Sequence, residues 1–207
     1  MKKYTRMLWL LLGVFLICSC RPKPVPPPPV VPVLKYKYEK DAIHLNLRSD
    51  PKINFYDEMP HTLQVCVYQL KDPNAFNQYA NDEDGLYQLL ECSLFDVAAL
   101  SSRRLTVHPG QDMEVSLDRA EEAKYVGVVA GYYQVRKEGI TRLFEIPVVE
   151  KTMGAKNEIT YQEIGLLDIE LVLGPQQIHA SHSGVGKSAE EKAAEEKSGK
   201  EKSGKGK

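Results

Sequence analysis

At 207 residues with a formal net charge of −1, the chain has room for one folded domain of ordinary size and no excess of cations to set against a phosphate backbone. Lys2, Lys3 and Arg6 open it and seven lysines crowd its last stretch, so the span between is acidic, which argues against nucleic acid as a partner.

The order of elements begins with a secretory signal, a charged start followed by the uncharged run Met7 to Ile17, too short to span a bilayer comfortably. Ile17-Cys18-Ser19 then leads straight into Cys20, which resembles the lipobox of bacterial lipoproteins, with Ser19 as the small residue that the peptidase needs. On that resemblance residues 1–19 are removed and Cys20 becomes the lipidated first residue, whereas Cys18, preceded by Ile17, does not fit. Several acyl chains hold far better than one, at about 0.8 kcal/mol per buried methylene. The competing reading is an uncleaved N-terminal helix with two incidental cysteines. Arg21, where an Asp would retain a lipoprotein at the inner membrane in the enterobacterial rule, implies the outer membrane and a periplasm-facing anchor. The linker, 20–33, carries seven prolines between Arg21 and Pro32, which forbids helix and ladder and favours polyproline II. At about 3.1 Å per residue it is a stiff spacer of roughly 30 to 40 Å.

Residues 34–175 read as the folded domain. Ile43, Leu45 and Leu47 alternate with His44 and Asn46; Leu63 to Leu70 is an apolar run; Arg103 to Val107 and Met113 to Leu117 flank a turn at Pro109-Gly110. Tyr125 to Tyr133 has no charge and reads as a central strand covered on both faces. Leu143 to Val149 reads as one strand, put at an edge by Pro147. Ile159 to Ile164 and Leu167 to Leu173 complete the set. Helix signals occur only between Asp72 and Leu100, with Asp72 before Pro73 and Asp82 before Glu83 and Asp84 as starts. The expectation is an all-β, antiparallel β-sandwich with a small helical insertion between early strands, and not a doubly wound α/β domain. Residues 176–207, rich in Lys, Glu, Gly and Ser, read as a disordered tail that cannot bury enough to order itself.

With the signal gone and Cys20 lipidated, Cys66 and Cys92 have only each other in an oxidising compartment, so a disulfide is expected. The alternative is two buried free thiols. Closing that loop would contribute about 3.5 kcal/mol in the chain-entropy model. Chemistry is otherwise thin. Gly184-Val185-Gly186-Lys187-Ser188 ends like a phosphate loop but has Ser181 where the pattern needs Gly, so nucleotide is not expected. His179 and His182 are the only histidines at a metal-ligand spacing, in a tail, and no metal site follows. No nucleophile elbow and no Cys, His and acid grouping appear, so neither catalytic residues nor cofactors are assigned and an enzyme is not expected.

Val67-Tyr68-Gln69-Leu70-Lys71 with Phe76 soon after, the Pro109-Gly110 turn, and Tyr125-Val126-Gly127-Val128-Val129-Ala130 before paired aromatics resemble the TssJ (SciN, VasD) lipoproteins of type VI secretion. The resemblance covers roughly Ile43 to Leu173. It implies a transthyretin-like sandwich anchored in the outer membrane that holds the periplasmic part of the inner-membrane protein TssM. The chain departs from that pattern at Cys66 and Cys92, in its tail, and between the first two strands. There Arg48 to His61 spends fourteen residues where two to five could suffice. Asn54, Phe55, Tyr56, Asp57, Glu58 and Met59 place large amphipathic side chains beside charge, as interface anchors are placed, and in the resembling family this loop contacts TssM. They are the expected partner-binding loop. A surface loop adds little burial, so removing 54–59 is expected to leave the fold intact. The second reading is a generic periplasmic transthyretin-like lipoprotein that binds a small ligand or serves another secretion apparatus.

Overall fold

The structure is a computed structural model that describes residues 34–153 and 159–186. Cys20, the proline-rich linker and the tail beyond Gly186 lie outside the described residues. In chain order the elements are β1 (Glu39–Ser49), β2 (Leu63–Leu70), α1 (Asn74–Ala80), α2 (Glu83–Leu90), β3 (Ala99–Val107), β4 (Asp112–Arg119), β5 (Tyr125–Gly131), β6 (Thr141–Glu145), β7 (Val148–Met153), β8 (Ile159–Ile164), β9 (Leu166–Leu173) and β10 (Ile178–Gly186).

Two four-stranded sheets face each other, one ordered β10-β9-β1-β4 and the other β3-β2-β5-β6. Alternation sets the core. Ile43, Leu45 and Leu47 of β1 and Leu167, Ile169, Leu171 and Leu173 of β9 bury one face of the first sheet against Leu63, Val65 and Val67 of β2 and Val126, Val128 and Ala130 of β5. Among the described residues all strand pairings are antiparallel except β1 with β9, which run parallel with Leu45 beside Ile169. Strands β7 and β8 form a separate two-stranded ribbon.

The second sheet is covered on its outer face as well. Cys66, Tyr68, Leu70 and Val129 point away from the sandwich into a second cluster with Phe76, Ala80 and Leu89 from the insertion, which is why β2 and β5 carry no exposed polar face. Gly127 lies under Phe76, where a Cβ would stand 2.6 Å from Cε2. Helix α2 starts at Asp82, whose carboxylate accepts the Gly85 N–H at 2.9 Å. Its other end leaves carbonyls without intrahelical partners, and strand side chains take each in turn. Tyr68 Oη–H donates to Leu89 O, Gln64 Nε2 to Leu90 O, Arg104 Nη2 to Glu91 O and Ser102 Oγ to Cys92 O. The disulfide Cys66–Cys92, with Cα atoms 5.2 Å apart, pins the same corner.

Three features depart from the sequence expectation. The strand expected at Leu143 to Val149 is two: Pro147 has no N–H for a ladder, β6 stops at Glu145, and Val148 starts the ribbon with β8. Strand β5 ends at Gly131, two residues short of Tyr133. The tail expected from residue 176 begins with a strand instead, as Ile178–Gly186 pairs with β9 along its length. Apart from Ile178 and Gly186 its residues are exposed, so ladder hydrogen bonds hold it rather than burial, and apolar alternation could not reveal it.

Strand directions give the sandwich two ends. At the base, Glu122 N–H donates to Tyr36 O at 2.7 Å, and buried Arg119 joins Glu39 Oε2 at 2.6 Å, Lys37 O at 3.3 Å and Gly165 O at 3.4 Å. At the opposite end, the tip, lie the β1–β2 loop, the β3–β4 turn, the β5–β6 loop and the β9–β10 turn.

Candidate functional site

The tip is built on Ile53, fully buried, and Asn54, which is 8% exposed and sits in left-handed backbone at φ 49°. The Asn54 side chain spans two elements: Nδ2 donates to Thr62 O at 2.9 Å and Oδ1 accepts Tyr133 N–H at 2.7 Å. Phe55 N–H donates to Pro175 O at 2.8 Å, Asp50 N–H to Leu173 O at 2.9 Å, and Gly110 N–H to Asp50 O at 3.3 Å. Every other loop at this end is thus tied to β1–β2. The expectation that removing residues 54–59 leaves the fold intact does not survive this, because excision would remove the ties to Thr62, Tyr133 and Pro175.

From this brace the chain reaches outward in one short turn. Tyr56 and Met59 exchange backbone hydrogen bonds at 2.9 and 3.1 Å, and Asp57 and Glu58 between them have φ of 48° and 58°, the signature of a two-residue type I′ turn. Tyr56 is 40% exposed, Met59 55% and, from the neighbouring loop, Tyr133 59%. The rings of Tyr56 and Tyr133 stack with centroids 3.3 Å apart at 19°. Its hydrogen bond with the Tyr56 side chain holds the proton on the Tyr133 phenol and raises its pKa above the ordinary value, with some desolvation adding to the rise. His61 Nε2 lies 3.1 Å from Tyr56 O, its ring centroid 6.5 Å from that of Tyr56. The result is a rigid aromatic and thioether surface with two carboxylates at its crest.

Of the six loop residues picked out from sequence, Tyr56, Asp57, Glu58 and Met59 face outward, Phe55 is half-buried, and Asn54 turns inward as a brace. Tyr133 was missed. The doublet Tyr132-Tyr133 at the end of a central strand carried the signal, since alternation must send one ring in and the other out; Tyr132 is buried and Tyr133 exposed. Cys66 and Cys92 are bonded on the insertion side, away from this surface. Elsewhere, His44 Nδ1 lies 2.7 Å from Asp168 Oδ1 on the outer face of the first sheet, with Ser116 opposite His44 in the ladder. Ser116 makes no hydrogen bond to that histidine, so the row contains no activated nucleophile. Among the described residues no group of three His, Cys, Asp or Glu side chains could hold a metal ion.

Comparison with known proteins gives this geometry its context. The family model for type VI secretion lipoproteins (VasD, EvfM, TssJ) matches residues 41–163. The crystal structure of the type VI secretion lipoprotein TssJ1 from Pseudomonas aeruginosa superposes with a TM-score of 0.53 at 16% identity, over 73% of this chain and 98% of that one. That likeness is one of fold. Lip of Serratia marcescens, a membrane-bound component of the type VI secretion system, matches at 17% identity over 66% of this chain and 94% of its own, with a TM-score of 0.48. The TssM C-terminal domain structure from EAEC gives 17% identity, the same coverages and 0.46. No curated protein matches the chain.

Proposed function

The chain belongs to the type VI secretion lipoprotein family, and from that membership we propose that it is the outer-membrane-anchored scaffold of the secretion system's membrane complex, held by lipid on Cys20 and binding the periplasmic part of the inner-membrane protein TssM through its tip. The observation that carries this reading is the braced turn that presents Tyr56 and Met59 beside Tyr133. Large, exposed apolar side chains on a rigid base lose little conformational freedom on binding, which is what anchors need. The acids at the crest, Asp57 and Glu58, suit a partner surface that offers cations. The domain's role is mechanical: it ties a partner from the other membrane to the lipid-bearing residue.

The test is binding of the full chain, in detergent, to the periplasmic fragment of TssM. Tyr56→Ala and Tyr133→Ala should each weaken binding by about tenfold or more, the range of interface anchors, with Tm within a few degrees of the parent because both rings are exposed. Parent-like affinity in both variants would move the contact off the tip.

A further inference from the structure

The two flanks of the sandwich differ. On one, β6 and β10 are laced together: Arg142 Nη2 donates to Ile178 O at 2.7 Å, its Nε to Ser181 Oγ at 3.1 Å, and Ile178 N–H donates to Gly139 O at 2.8 Å. On the other, β3 and β4 are the outermost strands of opposite sheets, and neither has a strand on its free side among the described residues. A groove of about 660 Å³ runs between them.

Val67, Leu117 and Ala120 give the groove its apolar lining, and the core thins along the β4 edge beside it. Met113, Val115 and Leu117 of β4 face inward yet stay half-exposed, whereas Leu167, Ile169 and Leu171 on β9 of the same sheet are covered. Across from them, the inward face of β3 runs Val107, Leu105 and then Arg103, the last paired in the ladder with Val67 of the groove floor. Among the described residues the Arg103 guanidinium makes neither a hydrogen bond nor an ion pair. The acids of the groove lie toward its base end. Asp118 is taken by Tyr38 Oη–H at 2.5 Å and by Asp41 N–H at 2.9 Å, and Glu121 follows Ala120, whose N–H is held by Gln69.

An inward-pointing charge on an open edge deters the pairing of apolar strands. The same charge selects a strand that brings its counter-ion. We propose that this flank takes up an extended segment of a partner protein as an added strand antiparallel to β4. The inward side chains of that segment run acidic, apolar, apolar from base to tip, with the acid against Arg103 and the apolar pair over Val115 and Met113. Main-chain hydrogen bonds then supply affinity and the alternate side chains supply specificity. The surface is separate from the tip, so the two contacts can be lost independently.

The test titrates the full chain in detergent with a fluorophore-tagged peptide, acetyl-Thr-Glu-Thr-Val-Thr-Val-Thr-amide, and with its counterpart carrying Lys for Glu. Hydrogen exchange is followed in parallel. The Glu peptide should bind at least tenfold more tightly and slow exchange across residues 112–119. Arg103→Gln should equalise the two peptides, and Arg103→Glu should reverse their order with Tm unchanged, since the side chain is exposed. Equal binding by the parent, no binding at millimolar peptide, protection at the tip loops instead, or an unchanged preference in both Arg103 variants would each overturn the proposal.

Discussion

Asp57 and Glu58 hold backbone angles that Asn and Gly adopt at far lower cost, φ 48° and 58° at the crest of a two-residue turn. Left-handed backbone costs an ordinary L-residue about 1–2 kcal/mol, so the double change Asp57→Asn with Glu58→Gly should stabilise the protein. Tm should rise by about 2–4 °C per kcal/mol gained, while affinity for TssM falls because both carboxylates are gone. A variant that is more stable and binds as well would show that the acids serve only the turn. Tyr68 supports a second prediction at this scale. Burial, with a contribution from Glu91, pushes its phenol up to about 12 from an ordinary 10.0. The folded state therefore keeps the proton more tightly than the unfolded chain, so the stabilisation is complete below pH 10 and is lost as pH climbs from 10 toward 12. Melting followed across that window should fall less steeply in Tyr68→Phe than in the parent; identical slopes would remove Tyr68 as the cause. Both sets of side chains were visible in the sequence, but what each does was not. Asn54 sits between Ile53 and Phe55 and reads as one more loop residue, and only its bonds to Thr62 and Tyr133 reveal it as the loop's internal tie.

The helical insertion is the element whose attachment is most redundant, with four successive carbonyls at the end of α2 taken by β2 and β3 side chains in addition to the Cys66–Cys92 bond. The Cys66→Ala, Cys92→Ala double variant should lose about 2–4 kcal/mol, or roughly 5–15 °C in Tm, yet keep its helical circular dichroism at 25 °C because those four donors still hold the helix. Loss of the helical signal well below the melting transition would assign the docking to the disulfide alone. Gly127→Ala strikes at the same interface from the other side. Its Cβ would overlap the buried Phe76 ring, and overpacking of this kind costs about 1–3 kcal/mol; a Tm within one degree of the parent would mean that the ring has room to retreat. Elements held by burial were legible, since Ile43 to Leu47 and Leu167 to Leu173 alternate cleanly and Asp82 announces α2. Those held by pairing were not: β10 has a single large buried side chain, Ile178, and follows β9 through ladder bonds that no periodicity records. The parallel register of β1 with β9 was equally hidden, because it joins segments more than a hundred residues apart and alternation within a strand carries no information about its neighbour.

For the molecule as a whole, what matters is how far the tip stands from the base. Strand β1 alone, eleven residues from Glu39 to Ser49, separates base from tip by roughly 35 Å at about 3.3 Å per residue. The chain reaches the base through Leu34 to Tyr38, where Tyr36 O accepts Glu122 N–H, so the N-terminal side of the domain and the exposed rings of Tyr56 and Tyr133 lie at opposite ends of the sandwich. On the proposed function, lipid on Cys20 supplies the anchor and the tip supplies the partner contact. Cys20→Ser separates the two halves of that mechanism. The variant should leave the membrane fraction, keep the parent's Tm and bind the isolated periplasmic part of TssM with the parent's affinity, because residues 34–186 are untouched. Type VI effector release should nonetheless fall to the level of a strain lacking the protein, since a tether that holds only one membrane transmits no force. Fractionation, melting, binding and secretion can all be read on the same variant. Effector release at the parent level from a strain whose Cys20→Ser protein is fully soluble would show that lipid anchoring is dispensable and that the domain works as a soluble partner. Lost TssM affinity in the soluble variant would instead place part of the contact in the lipidated N-terminus.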